Sequence, residues 1–298
     1  MSRIVKIGLI QMTCSDDKGT NIDKTIANIK SLAQSGAQII CTQELFQTPY
    51  FCQVMDAQNF LLAEEIDAET ETVRNLRSLA AELEVVLIAS LFEKRSVGLY
   101  HNSAVVVDAD GTYLGKYRKM HIPQDPGYSE KFYFTPGDLG YHVFRTRFAD
   151  VGVLICWDQW FPEAARLTAM KGAEIIFVPT AIGFDPQNKE SERPDESHAA
   201  WQIVQQGHAA ANACYFAAAN RVGFEQAPDD SGGIHFWGGS FVADLSGQVA
   251  VKASMEEEEN LLCSLDLERI EKVRNISSYP FRDRRVDSYQ DLTKLYSN

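Results

Sequence analysis

The sequence predicts an α/β protein, a four-layer αββα sandwich forming one domain, and three observations carry that reading. Short apolar runs alternate with amphipathic stretches along the chain. The order strand, helix, strand, helix, strand, hairpin occurs twice, although the residues themselves do not repeat. No Pro/Gly/Ser-rich linker separates the two occurrences, so neither half reads as independent. Two such halves can bury their sheets against each other and leave the helices outside.

In the first half, Val5 to Gln11 reads as a strand. Asn21 to Ala33 reads as a helix, because Ile22, Ile26, Ile29 and Ala33 recur at three- and four-residue spacing. Ala37 to Cys41 is a strand, Ala68 to Leu83 a helix and Val85 to Leu91 a strand. Asn102 to Tyr117 is a hairpin turning at Asp108-Ala109-Asp110-Gly111. The connecting stretch from Lys119 to Phe148 is dense in aromatic residues (Tyr128, Phe132, Tyr133, Phe134, Tyr141, Phe144), as expected of a packed loop.

In the second half, Asp150 to Cys156 reads as a strand, Pro162 to Lys171 as a helix and Glu174 to Pro179 as a strand. His198 to Asn212 is a helix, Cys214 to Asn220 a strand, and Phe236 to Ala253 a hairpin turning at Asp244-Leu245-Ser246-Gly247. The acidic run Glu256 to Glu259 reads as a solvated turn between strands. After Asp266 the composition turns basic, with Arg269, Arg274, Arg282, Arg284 and Arg285. The domain is therefore expected over residues 1–266, and residues 267–298 form a tail, either exposed or docked on a neighbouring subunit.

Charge and cysteine usage exclude several function classes. Among 298 residues, 28 Lys and Arg face 41 Asp and Glu, a formal charge of −13, which disfavours nucleic acid or an anionic membrane as partner. No apolar run approaches the ~18 residues that cross a bilayer, and Met1 to Lys6 lacks a signal-peptide core, so a cytoplasmic protein is expected. Six cysteines without a C-x-x-C pair are expected to be free thiols, neither a disulfide framework nor a zinc knuckle.

Function in α/β sheets collects at the carboxyl ends of strands, and three such ends carry reactive groups: Glu44, Lys119 and Cys156. Cys156 sits between a strand and the helix opening at Pro162, a sharp turn that can expose a thiol near helix N-terminal amides and favour its thiolate. A thiol nucleophile needs a proton acceptor and an oxyanion partner. Glu44 can serve as the first, and Lys119 with the Trp157 backbone N–H as the second. By spacing alone, each reads as a surface charge before it reads as a catalyst. Glu130 is a fourth candidate, alternatively a structural salt bridge. Phosphate-loop, dinucleotide, zinc-hydrolase and serine-elbow motifs are absent, and the spacing of the six histidines selects none of them as a partner.

The stretches Thr42-Gln43-Glu44-Leu45-Phe46, Tyr117-Arg118-Lys119-Met120-His121-Ile122-Pro123 and Ile155-Cys156-Trp157-Asp158-Gln159-Trp160-Phe161-Pro162-Glu163 resemble the motifs of the nitrilase (carbon-nitrogen hydrolase) superfamily. The resemblance runs from Ile4 to about Asp266. It implies Glu44 as general base, Lys119 as stabiliser of the tetrahedral intermediate, Cys156 as nucleophile and Glu130 as a second glutamate orienting substrate and Lys119. It implies no metal or organic cofactor, and a homo-oligomer.

Further stretches, Gly127 to Phe134, Pro179 to Gly183, Gln206 to Asn212 and Phe281 to Arg285, are similar to members that split an N-carbamoyl diamine into diamine, carbon dioxide and ammonia. Gln124 departs from the acidic residue that this likeness leads one to expect there. A distal ammonium needs carboxylates or aromatic faces, so Asp125 and Tyr50, with Trp157, are the expected substrate contacts, and Asp185, Glu190 and Glu192 are further acidic candidates. A carboxylate-ended N-carbamoyl amino acid would instead need Arg or Lys, for which the same loops offer Lys189 and Arg193. A non-catalytic binding protein with this fold is the remaining alternative.

Overall fold

The computed structural model describes residues 3–186, 194–229, 232–275 and 281–296. The first half comprises β1 (Ile4–Gln11), α1 (Lys18–Gln34), β2 (Ile39–Cys41), α2 (Glu71–Leu83), β3 (Val86–Ser96), β4 (Leu99–Val107) and β5 (Tyr113–Arg118). A one-turn helix α3 (Glu130–Tyr133) lies in the connection. The second half follows with β6 (Val143–Arg145), β7 (Asp150–Val153), α4 (Pro162–Met170), β8 (Ile175–Thr180), β9 (Gly183–Phe184), α5 (Pro194–Asn212) and β10 (Tyr215–Asn220). Then come β11 (Val222–Gln226), β12 (Gly233–Trp237), β13 (Phe241–Ala243), β14 (Val249–Lys252), β15 (Glu259–Asp266) and α6 (Glu268–Asn275).

The two halves build sheets of the same design. One runs β15-β1-β2-β3-β4-β5 and the other β6-β7-β8-β10-β13-β14. In each, three parallel strands continue into an antiparallel hairpin on one side and carry one antiparallel strand on the other, β15 beside β1 and β6 beside β7. Alternation assigns the faces of the first sheet. Ile7, Leu9, Ile39, Val86, Ile88 and Val106 point to the shared core with the second sheet. Ile10, Ile40, Leu87, Ala89, Val105 and Val107 pack instead on Ile29, Leu32, Val73, Leu76 and Leu79 of α1 and α2. On the second sheet, β8 and β10 are buried at every residue, as parallel strands covered on both faces should be. Asp17 caps α1, its carboxylate accepting from the Thr20 N–H at 2.7 Å. The four layers are therefore those expected.

Several local expectations are corrected. The hairpin read over Phe236 to Ala253 is shorter, because Gly238 and Gly239 both adopt φ +59 and turn the chain out of line after Trp237. Gly233–Trp237 belongs to a separate antiparallel sheet, β11-β12-β9. The strand expected to reach Cys156 leaves its ladder at Val153, and Cys156–Trp160 is one turn of 3-10 helix. Residues 267–275, read as the start of the tail, pack on their own chain: Leu267 and Ile270 are buried, and Arg274 donates to the Ala173 carbonyl at 3.1 Å. From Arg285 to Tyr296 every residue is exposed. The six cysteines are free. Among the described residues no helix is long and apolar enough to cross a membrane.

Candidate active site

Glu44 stands three residues beyond β2 in a loop several of whose carbonyls are capped from outside it. The fully buried Arg221 donates to the carbonyls of Glu44, Leu45 and Thr48, each at 3.0 Å, and to Glu225 Oε1 at 2.6 Å. Its guanidinium lies over the Phe236 ring, 5.5 Å from the centroid. Leu45 takes φ +49, and its N–H donates to Ser90 Oγ at 3.1 Å. The loop is thus fixed by partners far away in sequence.

Lys119 leaves β5 with its backbone N–H on the Asn102 carbonyl at 2.8 Å. Its ammonium donates to Glu44 Oε1 at 2.9 Å and to Glu130 Oε2 at 2.6 Å, and all three side chains are fully buried. Asn102 donates to Glu44 Oε1 at 2.7 Å, and the Tyr50 hydroxyl donates to Glu130 Oε1 at 2.7 Å. Glu44 Oε2 has no hydrogen-bond partner among the described residues. Burial alone would lower the Lys119 pKa, but Glu130 and Glu44 outweigh it and hold the ammonium charged. Glu130 is pushed up to about 7 by burial, with Lys119 pulling against it and the Glu44 charge adding to it.

Cys156 opens the turn after β7 at φ +43, a left-handed conformation unusual for a residue with a Cβ. Its sulfur lies 3.8 Å from the Ala181 carbonyl and feels the charges of Glu44, Lys119 and Glu130. Burial first, then Glu44, pushes the thiol pKa well above its ordinary value, and Lys119 offsets this only in part. Desolvation thus acts against the expected help of helix amides to the thiolate and favours the neutral thiol. Such a thiol reacts only if a base removes its proton, and the free lone pairs of Glu44 Oε2 are available for that.

Cys156 and Trp157 line a cleft of about 610 Å³ walled by Tyr128, Trp160, Phe184 and Trp237 and carrying Asp125 and Asp185. No Lys or Arg is among its described lining residues. Tyr50, expected at the substrate amine, is not a lining residue: it is buried, with its hydroxyl on Glu130 and its ring 5.7 Å from that of Tyr128. The fold thus brings together Glu44, Lys119, Glu130, Cys156 and Tyr50, and Trp157 and Asp125 line the same cleft as Cys156. Lys189, Glu190, Glu192 and Arg193 lie outside the described residues.

The family model for carbon-nitrogen hydrolases matches residues 6–275. The chain belongs to the carbon-nitrogen hydrolase family. An N-carbamoylputrescine amidase of Solanum tuberosum is 44% identical over 99% of this chain and 96% of its own length. A citrullinase of Francisella tularensis is 41% identical over 98% of this chain and 99% of its own. The crystal structure of a carbon-nitrogen hydrolase from Helicobacter pylori G27 superimposes with a TM-score of 0.93 at 44% identity, covering 99% of this chain and 100% of that one. This carbon-nitrogen hydrolase is accordingly an amidase-type enzyme.

Sequence reasoning missed the residues that hold the site without touching the cleft: Asn102, Arg221, Glu225 and Asp158. Asn102 and Arg221 lie 58 and 177 residues from the Glu44 groups they bond, so no local spacing points to them. The one local signal was Asp158, two residues after Cys156 inside a quoted motif.

Proposed function

We propose that this carbon-nitrogen hydrolase converts N-carbamoylputrescine and water to putrescine, carbon dioxide and ammonia, a step of polyamine synthesis. Glu44 takes the thiol proton as Cys156 sulfur attacks the carbamoyl carbon. The oxyanion that forms is stabilised by the Lys119 ammonium and the Trp157 backbone N–H. Collapse expels ammonia with the proton returned by Glu44, leaving a carbamoyl thioester. Water, deprotonated by Glu44, then displaces the sulfur, and the released carbamic acid breaks down to amine and carbon dioxide. Glu130 orients Lys119, and Tyr50 orients Glu130.

The observation that carries the reading is one juxtaposition: a buried Glu-Lys-Glu cluster beside Cys156, at a cleft whose charged described residues are Asp125 and Asp185. An alkylammonium gains from carboxylates and from the aromatic walls, whereas a substrate carboxylate finds no Lys or Arg among the described lining residues. Ammonia release from N-carbamoylputrescine, N-carbamoyl-β-alanine and L-citrulline separates the readings. Citrulline is the same N-carbamoyl amine carrying an added carboxylate. Like-charge juxtaposition of several kcal/mol corresponds to a kcat/KM preference of at least ~100-fold for the diamine derivative. Equal or reversed preference overturns the substrate assignment and leaves the reaction class standing.

The free cysteines suit a reducing cytoplasm. The exposed tail segment, with Val286, Leu292, Leu295 and Tyr296 in solvent, supports a homo-oligomer in which it covers a neighbouring subunit. Ending the chain at Asn275 should then lower the particle mass in light scattering, and an unchanged mass counts against the role.

A further inference from the structure

The Asp158 carboxylate is fully buried and takes four hydrogen bonds. Oδ2 accepts from the Ile155 N–H at 3.0 Å and the Tyr117 hydroxyl at 2.8 Å. Oδ1 accepts from the His121 N–H at 2.9 Å and, with the ring proton on Nδ1, from the His121 imidazole at 2.7 Å. Those donors are not scattered. Ile155 immediately precedes Cys156, and Tyr117 and His121 stand two residues either side of Lys119. The His121 ring is held by stacking on Phe161, 3.7 Å away and 7° from parallel. Tyr117 is itself fully buried in the core between the sheets.

We infer that Asp158 is a positioning residue that sets the separation and orientation of the Cys156 sulfur and the Lys119 ammonium. The inference rests on the reading of those two as the reacting pair. Cys156 and Lys119 arrive on strands of different sheets, β7 and β5. Nothing in either ladder fixes one against the other. Asp158 joins them through one carboxylate: its Ile155 bond closes the turn that holds Cys156 at φ +43, and its other three bonds grip the chain around Lys119. A carboxylate is the group suited to this task because it accepts on both oxygens. The isosteric amide would direct its NH₂ at two donors, so that one side of the joint must open.

The test is Asp158→Asn with Tyr117→Phe, which removes a single donor and keeps the volume, and Cys156→Ala as control in the same ammonia assay. A displacement near 1 Å costs about 100-fold in rate. Asp158→Asn should therefore lose about 100-fold in kcat with KM within threefold, because the cleft walls are untouched. Tyr117→Phe should lose less, again in kcat alone, and the double variant should match Asp158→Asn, since both cut the same joint. A general loss of structure would lower the active fraction in step with the folded signal, so rates are normalised to the circular dichroism of each variant. Asp158→Asn turning over at the parental kcat overturns the inference. If Asp158→Asn does not fold, parental kcat in Tyr117→Phe overturns it. Undiminished turnover in Cys156→Ala instead overturns the underlying site reading, so the two failures are told apart.

Discussion

Cys156→Ala is expected to abolish ammonia release, a fall on the order of 10⁶-fold in kcat when the nucleophile of a covalent mechanism is removed, while the protein stays folded. The argument for both halves is local. Alanine meets the same left-handed backbone that cysteine already occupies at φ +43, so the turn gains no new strain. The sulfur borders the cleft, so its removal enlarges that cleft and leaves no sealed void. The neighbouring charges keep their partners, because the Lys119 bonds to Glu44 and Glu130 do not involve the sulfur. The melting temperature should therefore stay within a few degrees of the parent. Ammonia production is measured with N-carbamoylputrescine at saturating concentration. Release at the parental rate would remove the thioester mechanism outright, since no other cysteine lines the cleft among the described residues.

The ease with which parts of this molecule can be read from its sequence follows the range of the forces involved. Strands such as β8 and β10 are legible because burial on both faces imposes an unbroken apolar run on neighbouring residues. Helix α1 is legible because one face must meet the sheet every three or four residues. The three-stranded sheet containing β12 is not: Gly233–Trp237 has the pattern of any strand, and its assignment depends on two glycines whose positive φ no composition rule foretells. In the site, Glu44, Lys119 and Cys156 stand out because each follows the end of a strand within three residues and each belongs to a motif. Arg221 was invisible, since its task is to satisfy carbonyls more than 170 residues away. The environment of the Cys156 thiol is hidden for a related reason. Sequence exposes the helix amides nearby but not the depth of burial, and burial decides the sign.

That sign gives the Glu44→Gln variant two opposed consequences, and their opposition is what makes it informative. Glutamine has the shape of glutamate and retains one carbonyl oxygen to accept from Lys119 and Asn102. It cannot take a proton. Loss of general acid and base assistance in both half-reactions should lower kcat by about 10³- to 10⁴-fold. At the same time the Glu44 charge, which helps to raise the Cys156 pKa, is gone, so the thiol should ionise at lower pH than in the parent, though still above its ordinary value because burial remains the larger cause. The Glu130 carboxyl, pushed up to about 7 partly by the same charge, should also titrate at lower pH. Alkylation of Cys156 by iodoacetamide, followed against pH by mass, reads the first shift; ammonia release reads turnover. The expected pair is an alkylation profile displaced to lower pH together with collapsed catalysis. If turnover falls while the alkylation profile moves to higher pH, Glu44 acts by stabilising the thiolate and not as a proton carrier. If turnover is unchanged, the proton must travel through Glu130, whose hydrogen bond to Tyr50 would then become the next bond to cut.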